Sequence, residues 1–249
     1  MKECTEVDTQ DNVCRFYEEL RYKKPYSRVY HDWWIQKMLS FVSCKGRVLD
    51  NGCGTGILSE AMSGEGIELI GLDISRNMLR HASGRIERLV LGDSQRLPFA
   101  DGAFDLVVGR SLIHHLPDPA KGVAEIHRVL RGNGEMVVVD TNNSLISSIP
   151  RAVAKGGEHF SDDHKNMALP QLFRHINRYF HIDIVYHFGY LAYPIGFPDI
   201  VDMGKYIPRA VPFTKVLIKI DELLARIPML RTQSWGVMIK STKTEVFYD

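Results

Sequence analysis

The sequence of 249 residues lacks the marks of a secreted or membrane-spanning protein. It contains no run of about 18 consecutive apolar residues, which a transmembrane helix would need. Its four cysteines show no C-x-x-C spacing, and a chain of this length does not need disulfides to hold its core together. The first eight residues are polar and acidic, whereas a signal peptide starts basic and continues apolar. We therefore expect a cytoplasmic protein with reduced cysteines.

The chain also lacks an excess of either charge. It has 31 Lys and Arg against 30 Asp and Glu, for a net charge of +1. No overall field would hold such a chain on nucleic acid or on an anionic bilayer. Hydrophobic residues make up 45% and charged residues 24%, the usual balance of a globular protein with a large core. These values favour a single domain that acts on a small or neutral molecule.

Short apolar runs alternate with helical spacing between residues 46 and 141. Five strands are predicted, at Arg47–Asp50, Glu68–Asp73, Arg88–Leu91, Phe104–Gly109 and Glu135–Asp140. Runs such as Leu106-Val107-Val108 contain no polar alternation, which indicates strands that are covered on both faces. Helical spacing near 56–64, 75–86 and 118–131 separates most of the strands. The alternation predicts a doubly wound α/β fold with a mostly parallel sheet.

Both ends of the chain depart from this alternation. We predict a short helix from Asn12 that Pro25 ends, and then an aromatic-rich helix whose Tyr30, Trp33 and Trp34 pack in the core. Beyond residue 142 the predicted elements are listed in chain order: helix Ser144–Ala154, loop Gly156–Ala168, helix Pro170–Phe180, strand His181–Tyr186, helix Val211–Ile227 and strand Ser234–Ile239.

The predicted helix Val211–Ile227 has one apolar face and one polar face. Its polar face carries both signs of charge and lacks the basic excess of helices that lie on membranes. We therefore favour a lid or side wall for this helix, and peripheral contact with lipid is the alternative.

Three glycines at alternate positions follow the first predicted strand. Gly52, Gly54 and Gly56 precede a predicted helix, and residues without side chains allow tight turning and the close approach of a ligand. A purely structural turn is equally compatible with the glycines alone. The dinucleotide fingerprint G-x-G-x-x-G is incomplete, because its sixth position is Ile57 or Ser59 in the two available frames.

The run Asp50-Asn51-Gly52-Cys53-Gly54-Thr55-Gly56 resembles the D-x-G-x-G-x-G motif of the class I S-adenosylmethionine (SAM)-dependent methyltransferases. Asp73 ends the next predicted strand 23 residues beyond Asp50, where the resemblance implies an acid that accepts the ribose hydroxyls. Asp93 and Ser94 follow the third strand and match the positions that meet the adenine in this family. The structural alternatives are a helix-starting Asp at 73 and a turn Asp at 93.

The block from Phe104 to Gly134 is similar to the quinone and menaquinone C-methylating branch of that family. Its helix and turn read approximately R-V-L-K-P-G-G, and Arg131-Gly132-Asn133-Gly134 departs from this by lacking the proline. The similarity covers about residues 46–141. It implies a seven-stranded Rossmann-like sheet with an antiparallel edge, a helical cap at 1–45, a SAM-binding core at 46–141 and acceptor-site elements at 142–249.

The resemblance assigns SAM as the cofactor. The residues that it implies as cofactor contacts are Asp50, Gly52, Gly54, Gly56, Asp73, Ile74, Asp93, Ser94 and Arg110. The catalytic residue is not identified, and His159 and His164 are candidates for a general base in what is otherwise a solvated loop. The pair His114-His115 is interpreted as pocket wall and Cys53 as a packing residue. No spacing predicts a metal site.

These features predict a methyltransferase that acts on a small molecule. Gly109-Arg110-Ser111-Leu112 replaces the N-P-P-Y-type sequence expected for nucleobase amino methylation. Phe188, Tyr190 and Tyr193 suggest an apolar acceptor such as a quinone, a lipid or a polyketide-like compound. The alternatives are a SAM-binding module without catalysis and an NAD-dependent enzyme. The oligomeric state is not predicted.

Overall fold

The computed structural model describes residues 21–43, 45–145, 167–198 and 202–245, together with residues 11, 14, 18 and 19. Most of the predicted helix from Asn12 lies outside these residues. So do most of the helix predicted at Ser144–Ala154 and nearly all of the loop predicted at Gly156–Ala168. No helix within the described ranges is long and apolar enough to cross a membrane.

A seven-stranded sheet forms the centre of the molecule. Its strands are β1 (Gly46–Asn51), β2 (Ile67–Asp73), β3 (Arg88–Leu91), β4 (Phe104–Arg110), β5 (Leu130–Thr141), β6 (Phe180–Phe188) and β7 (Gly236–Lys243). The order is β3-β2-β1-β4-β5-β7-β6. The first five strands pair in parallel, and β7 pairs antiparallel with both β5 and β6. The predicted doubly wound α/β sheet with an antiparallel edge is confirmed.

Helices cover both faces of the sheet. They are α1 (Pro25–Leu39), α2 (Ile57–Met62), α3 (Arg76–Ala82), α4 (Pro119–Val129), α5 (Leu169–Asn177), α6 (Tyr193–Gly196), α7 (Ala210–Leu224) and α8 (Pro228–Arg231). Short 3₁₀ turns occur at Ile113–His115 and Met203–Tyr206.

The two faces of the sheet bury separate apolar clusters. Val107 packs in one cluster with Ile126 of α4 and Ile176 of α5. Its neighbour Leu106 packs in the other with Trp34 of α1 and Ile218 of α7. Because successive side chains of a strand point to opposite faces, the uninterrupted apolar run of β4 supplies both clusters. This explains why the run shows no polar alternation.

The structure corrects predicted boundaries at three elements. Helix α3 ends at Ala82 rather than near residue 86, and α7 ends at Leu224 rather than at Ile227. Strand β5 begins at Leu130, directly after α4, instead of at Glu135. The register of β5 against β4 shifts between the pairs Phe104–Leu130 and Leu106–Glu135. Asn133, which lies between Leu130 and Glu135 on β5, has a left-handed φ of 59°. A strand can absorb such an irregularity as a bulge, which the predicted turn at 131–134 did not foresee.

The carboxyl ends of β1, β2, β4 and β5 meet at one edge of the sheet, since these strands run in parallel. They bring together Asn51, Asp73, Arg110 and Asp140 with the residues that follow them. Ligands of open α/β sheets bind in the crevice outside this edge. A ligand site is therefore expected at this edge of the sheet.

Candidate active site

The glycine turn between β1 and α2 has a backbone that only glycine adopts easily. Gly52, Gly54 and Gly56 have φ values of 76°, 54° and 82°, all in the left-handed region that costs other residues free energy. A Cβ at Gly52 would lie 3.0 Å from Leu112 Cδ1, and a Cβ at Gly54 would point into open space. The backbone N–H groups of Gly52 and Cys53 both donate to the Leu72 carbonyl. The turn is therefore held against β2 and leaves room beside Gly54.

Two buried polar atoms at the end of β1 lack partners among the described residues. Asp50 is 1% exposed, and its Oδ2 accepts a hydrogen bond from Ser59 Oγ at 2.6 Å, while Oδ1 accepts none. Asn51 is fully buried, and its Oδ1 accepts from Ser94 Oγ at 2.7 Å, while Nδ2 donates to no described group. Unpaired buried polar atoms are costly and rare. A polar ligand at this turn would give both atoms a partner.

The electrostatic state of Asp50 is compatible with a positively charged group on such a ligand. Burial raises the pKa of Asp50 to about 6, although the hydrogen bond from Ser59 opposes the change. A cation next to Oδ1 would favour the ionised carboxylate. An ammonium group, which carries positive charge and N–H donors, fits this position. Ser59 and Asn51 belong to the site although no role had been predicted for them.

Asp73 links the end of β2 to the glycine turn. Its Oδ2 accepts from the Gly54 N–H and its Oδ1 accepts from the Ser75 N–H, both at 2.8 Å. Burial raises the pKa of Asp73 while these backbone donors lower it. A carboxylate offers about four acceptor positions, so Asp73 keeps capacity for hydroxyl donors. Ile74, the next residue, is 37% exposed.

Asp93 and Ser94 lie at the end of β3 and approach the same turn. The Gly92 N–H donates to the Asp73 carbonyl at 3.0 Å, which holds β3 beside β2. Asp93 Oδ1 accepts from the Gln95 N–H at 2.8 Å, the contact that a turn Asp makes. Ser94 is buried and bonded to Asn51. The structure thus gathers Asp50, Asp73 and Ser94 at one edge.

Arg110 joins the N-terminal residues to this edge. Its Nη1 donates to Tyr22 Oη at 3.0 Å, and its guanidinium lies 5.4 Å from the ring centre of Trp34. No described hydrogen bond joins Arg110 to the glycine turn, although its charge lowers the pKa of Asp50. Its predicted role as a cofactor contact stays a prediction.

Two further N-terminal residues reach the helices next to the turn. Asp11 Oδ1 accepts from Ser75 Oγ and from the Asn77 N–H at the start of α3. Arg85 forms an ion pair with Glu18 and donates to the Thr55 carbonyl at 2.9 Å. Nothing in the sequence signals the contacts of Asp11 and Glu18, because each lies more than 60 residues from its partner.

A buried histidine and aspartate lie at the ends of β4 and β5. Asp140 is 2% exposed and its Oδ2 accepts from the Ile113 N–H at 2.9 Å, while Oδ1 contacts Nδ1 of His114. The ring of His115 lies 4.2 Å from that of His114. Leu112, which precedes them, packs against Gly52. The pair therefore sits beside the glycine turn. An acid at the end of a buried strand was the available signal for Asp140.

The other side chains singled out from the sequence either pack in the core or lie outside the described residues. His159 and His164 are among the latter. Cys53 packs with Ala82 and Ile86, and burial raises the pKa of its thiol, which agrees with a packing role. Phe188 and Tyr193 are core residues beside Trp235, and Tyr190 is 6% exposed. These aromatic residues therefore carry no argument about the acceptor.

Comparison with known proteins identifies the core. Residues 49–138 match the family model of a methyltransferase domain. A phosphatidylethanolamine N-methyltransferase of Cereibacter sphaeroides is 33% identical over 121 residues, which are 44% of this chain and 59% of the relative. A demethylmenaquinone methyltransferase of Staphylococcus epidermidis is 34% identical over 127 residues, which are 47% of this chain and 52% of the relative. The chain thus spans about half the length of the curated relatives that it matches.

A solved structure extends the likeness of the fold over nearly the whole chain. It is a SAM-dependent methyltransferase of Thermotoga maritima, described as a possible histamine N-methyltransferase, with a TM-score of 0.66 and 16% identity. The match covers 95% of this chain and 100% of that one. Residues 49–138 therefore match a methyltransferase domain, and the chain as a whole shares the fold of a SAM-dependent methyltransferase.

Proposed function

We propose that the protein transfers a methyl group from SAM to a small-molecule acceptor. The observation that carries this proposal is the left-handed glycine turn with the unpartnered Asp50 Oδ1 and Asn51 Nδ2 beside it. A ligand with an ammonium group and further polar atoms would pair both. The methionine end of SAM has this chemistry, whereas a dinucleotide brings phosphates that the Asp50 carboxylate would repel.

Each part of the edge has a role in this proposal. Asp50 and the glycine turn bind the methionine end, and Asp73 accepts from the ribose hydroxyls. A larger set contacts the adenine and completes the site: Ile74, Asp93, Ser94 and Arg110. SAM supplies a methyl group on a positively charged sulfur, which is already a good leaving group. The residues mainly align the acceptor and exclude water.

The histidine pair provides a base for an acceptor that must lose a proton. Asp140 contacts Nδ1 of His114, and a carboxylate in this place orients an imidazole. We propose His114 as the group that takes the proton, with Asp140 as its positioning residue. His159 and His164 stay alternatives from the sequence.

For the acceptor we propose a lipophilic molecule such as a quinone or a lipid, bound by residues of the 142–249 segment. The support is the function of the two curated relatives described above, a demethylmenaquinone methyltransferase and a phosphatidylethanolamine N-methyltransferase. The balanced charge of the chain agrees with a substrate other than nucleic acid.

Calorimetric titration tests the cofactor. We expect binding of SAM and of S-adenosylhomocysteine and none of NAD. Asp73→Ala should weaken SAM binding by about 1–3 kcal/mol, because hydrogen-bonding groups lose their partner. The matched control is Asp32→Ala, which truncates an exposed acid of α1. NAD binding without SAM binding would identify an NAD-dependent enzyme and overturn the proposal.

Transfer of a labelled methyl group from SAM tests catalysis. Lipid and aqueous fractions of a cell extract are compared as acceptors, and we expect labelled product in the lipid fraction. With the acceptor in hand, Asp140→Asn should lower kcat about 100-fold and flatten its pH profile, while SAM affinity is unchanged. SAM binding with no labelled product in either fraction would indicate the binding module without catalysis.

A further inference from the structure

An apolar stripe runs along the outward side of α7. Phe213, Val216, Ile220 and Leu223 follow the spacing i, i+3, i+7 and i+10, which places them on one side of a helix. Phe213, Val216 and Leu223 are 42%, 53% and 59% exposed. We call this side of α7, with the exposed residues from 205 to 231 that adjoin it, the α7 surface. Beyond the helix, Met229 extends it with 86% of its side chain exposed.

The opposite side of α7 holds the helix on the body of the protein. Thr214, Ile218 and Asp221 are buried. Ile218 packs in the cluster that contains Trp34 and Met38 of α1. The stripe therefore faces away from the core, and the core packing of α7 does not need it.

The charges on the α7 surface are of one sign. Its exposed charged residues are Lys205, Arg209, Lys215, Lys219, Arg226 and Arg231. All are basic, although the chain as a whole has a net charge of only +1. A local excess of this kind, next to exposed apolar side chains, distinguishes the α7 surface from an ordinary solvated helix.

The two acids of α7 offset these charges only in part, because neither lies among the exposed residues of the α7 surface. Asp221 is 2% exposed and accepts the backbone N–H groups of Tyr190, Leu191 and Ala192 at 3.0, 2.8 and 3.1 Å. Glu222 is half-buried and accepts from Trp33 Nε1 at 3.3 Å. The sequence-based argument against lipid contact took the polar face to carry both signs of charge. The structure corrects that argument, because the exposed charged residues of the α7 surface are all basic.

We infer that the α7 surface docks on an anionic phospholipid membrane. The apolar stripe enters the headgroup region, and the lysines and arginines beside it meet the lipid phosphates. A second copy of the chain is a poorer occupant, because a symmetric contact would bring the two basic surfaces face to face. The inference stands on the α7 surface alone and does not depend on methyl transfer.

Vesicle sedimentation with the full chain tests the inference. We expect binding to vesicles of phosphatidylcholine with phosphatidylglycerol, little binding to phosphatidylcholine alone, and release at high salt. The double variant Lys215→Glu with Lys219→Glu should weaken binding at least about 20-fold, since each basic residue near an anionic surface contributes about fivefold. The matched control is Lys121→Glu with Arg174→Glu, exposed on α4 and α5 at the opposite face of the sheet. The control should bind as the unchanged protein does.

A second pair of variants tests the apolar part. Leu223→Ser with Met229→Ser should also weaken vesicle binding, while calorimetric SAM binding and the melting temperature report that the fold is kept. Equal vesicle binding by the Lys215/Lys219 variant and its control would overturn the inference. The inference would also be overturned if none of the proteins bound vesicles and sedimentation velocity showed a dimer that the Leu223/Met229 variant no longer forms. Neither outcome bears on the methyl-transfer proposal, which SAM titration tests separately.

Discussion

The edge of the sheet that holds the glycine turn, here called the cofactor edge, and the α7 surface use charged side chains in opposite ways. At the cofactor edge, Asp50 and Asp73 come from one short stretch of sequence and are buried next to a turn that the same stretch builds. On the α7 surface, neighbouring residues separate, because Asp221 turns inward and Lys219 turns outward. A local motif therefore predicts the first region well. The charge of the α7 surface depends instead on which side of the helix the rest of the molecule covers.

The largest expected effect concerns the inward side of α7. Asp221→Ala should lower the free energy of unfolding by about 3 kcal/mol or more, because three backbone N–H groups lose their acceptor. Glu222→Ala is the matched control, and it should cost about 1 kcal/mol because a single hydrogen bond to Trp33 is lost. Denaturant titration measures both. Equal losses would contradict the assignment of Asp221 as the inward anchor.

The pH dependence of Asp50 gives the next largest effect. Its pKa rises from 3.8 to about 6 on folding, so the ligand-free protein should lose about 3 kcal/mol of stability as the pH rises from about 4 through 6. The loss has this sign because the buried carboxyl is stable in its neutral form. SAM, by contrast, should bind more tightly across the same range, since its ammonium favours ionised Asp50.

The variant Asp50→Asn isolates this dependence from those of Asp73 and Asp221, whose pKa values burial also raises. We expect the difference in stability between the variant and the unchanged protein to follow pH between about 4 and 6. We also expect the affinity of the variant for SAM to be nearly independent of pH there. A constant difference over this range would contradict the assigned state of Asp50.

A third prediction concerns the backbone of the turn. Gly52→Ala should destabilise the protein by about 1–3 kcal/mol, because alanine is strained at φ 76° and its Cβ would crowd Leu112. Gly64→Ala is the control, since a Cβ there meets no described atom within 4 Å. Thermal unfolding of the two variants measures the contrast. The same melting temperature for both would show that the turn tolerates a side chain.

The smallest expected effect tests the contact between the N-terminal residues and the cofactor edge. Tyr22→Phe removes the hydrogen bond from Arg110 and should weaken SAM binding by about 0.5–1.5 kcal/mol. Lys23→Ala, which loses an exposed ion pair with Glu19, serves as the comparison and should change little. If both variants bind SAM alike, Arg110 acts on the site without Tyr22.

The sequence predicted the sheet and the cofactor edge because both depend on local patterns. The five parallel strands followed from buried apolar runs, and the order of Asp50, Asp73 and Asp93 along the chain matched the ends of successive strands. Boundaries were less accurate where packing overrides pattern, as in β5, which starts at Leu130. The partnership of His114 with Asp140 was missed, since it joins residues on two strands whose pairing only the folded sheet defines.

The sequence by itself determined the glycine turn. Residues 52, 54 and 56 all have left-handed backbone conformations, which favour glycine whatever the tertiary contacts of the turn are. The sequence also determined that β4 would be covered on both faces. Only the tertiary structure decided that Asp140 reaches His114 and that Asp221 points away from Lys215 and Lys219. These arrangements arise from contacts between segments distant in the chain, and burial, which sets the state of each charge, exists only after those segments have packed together.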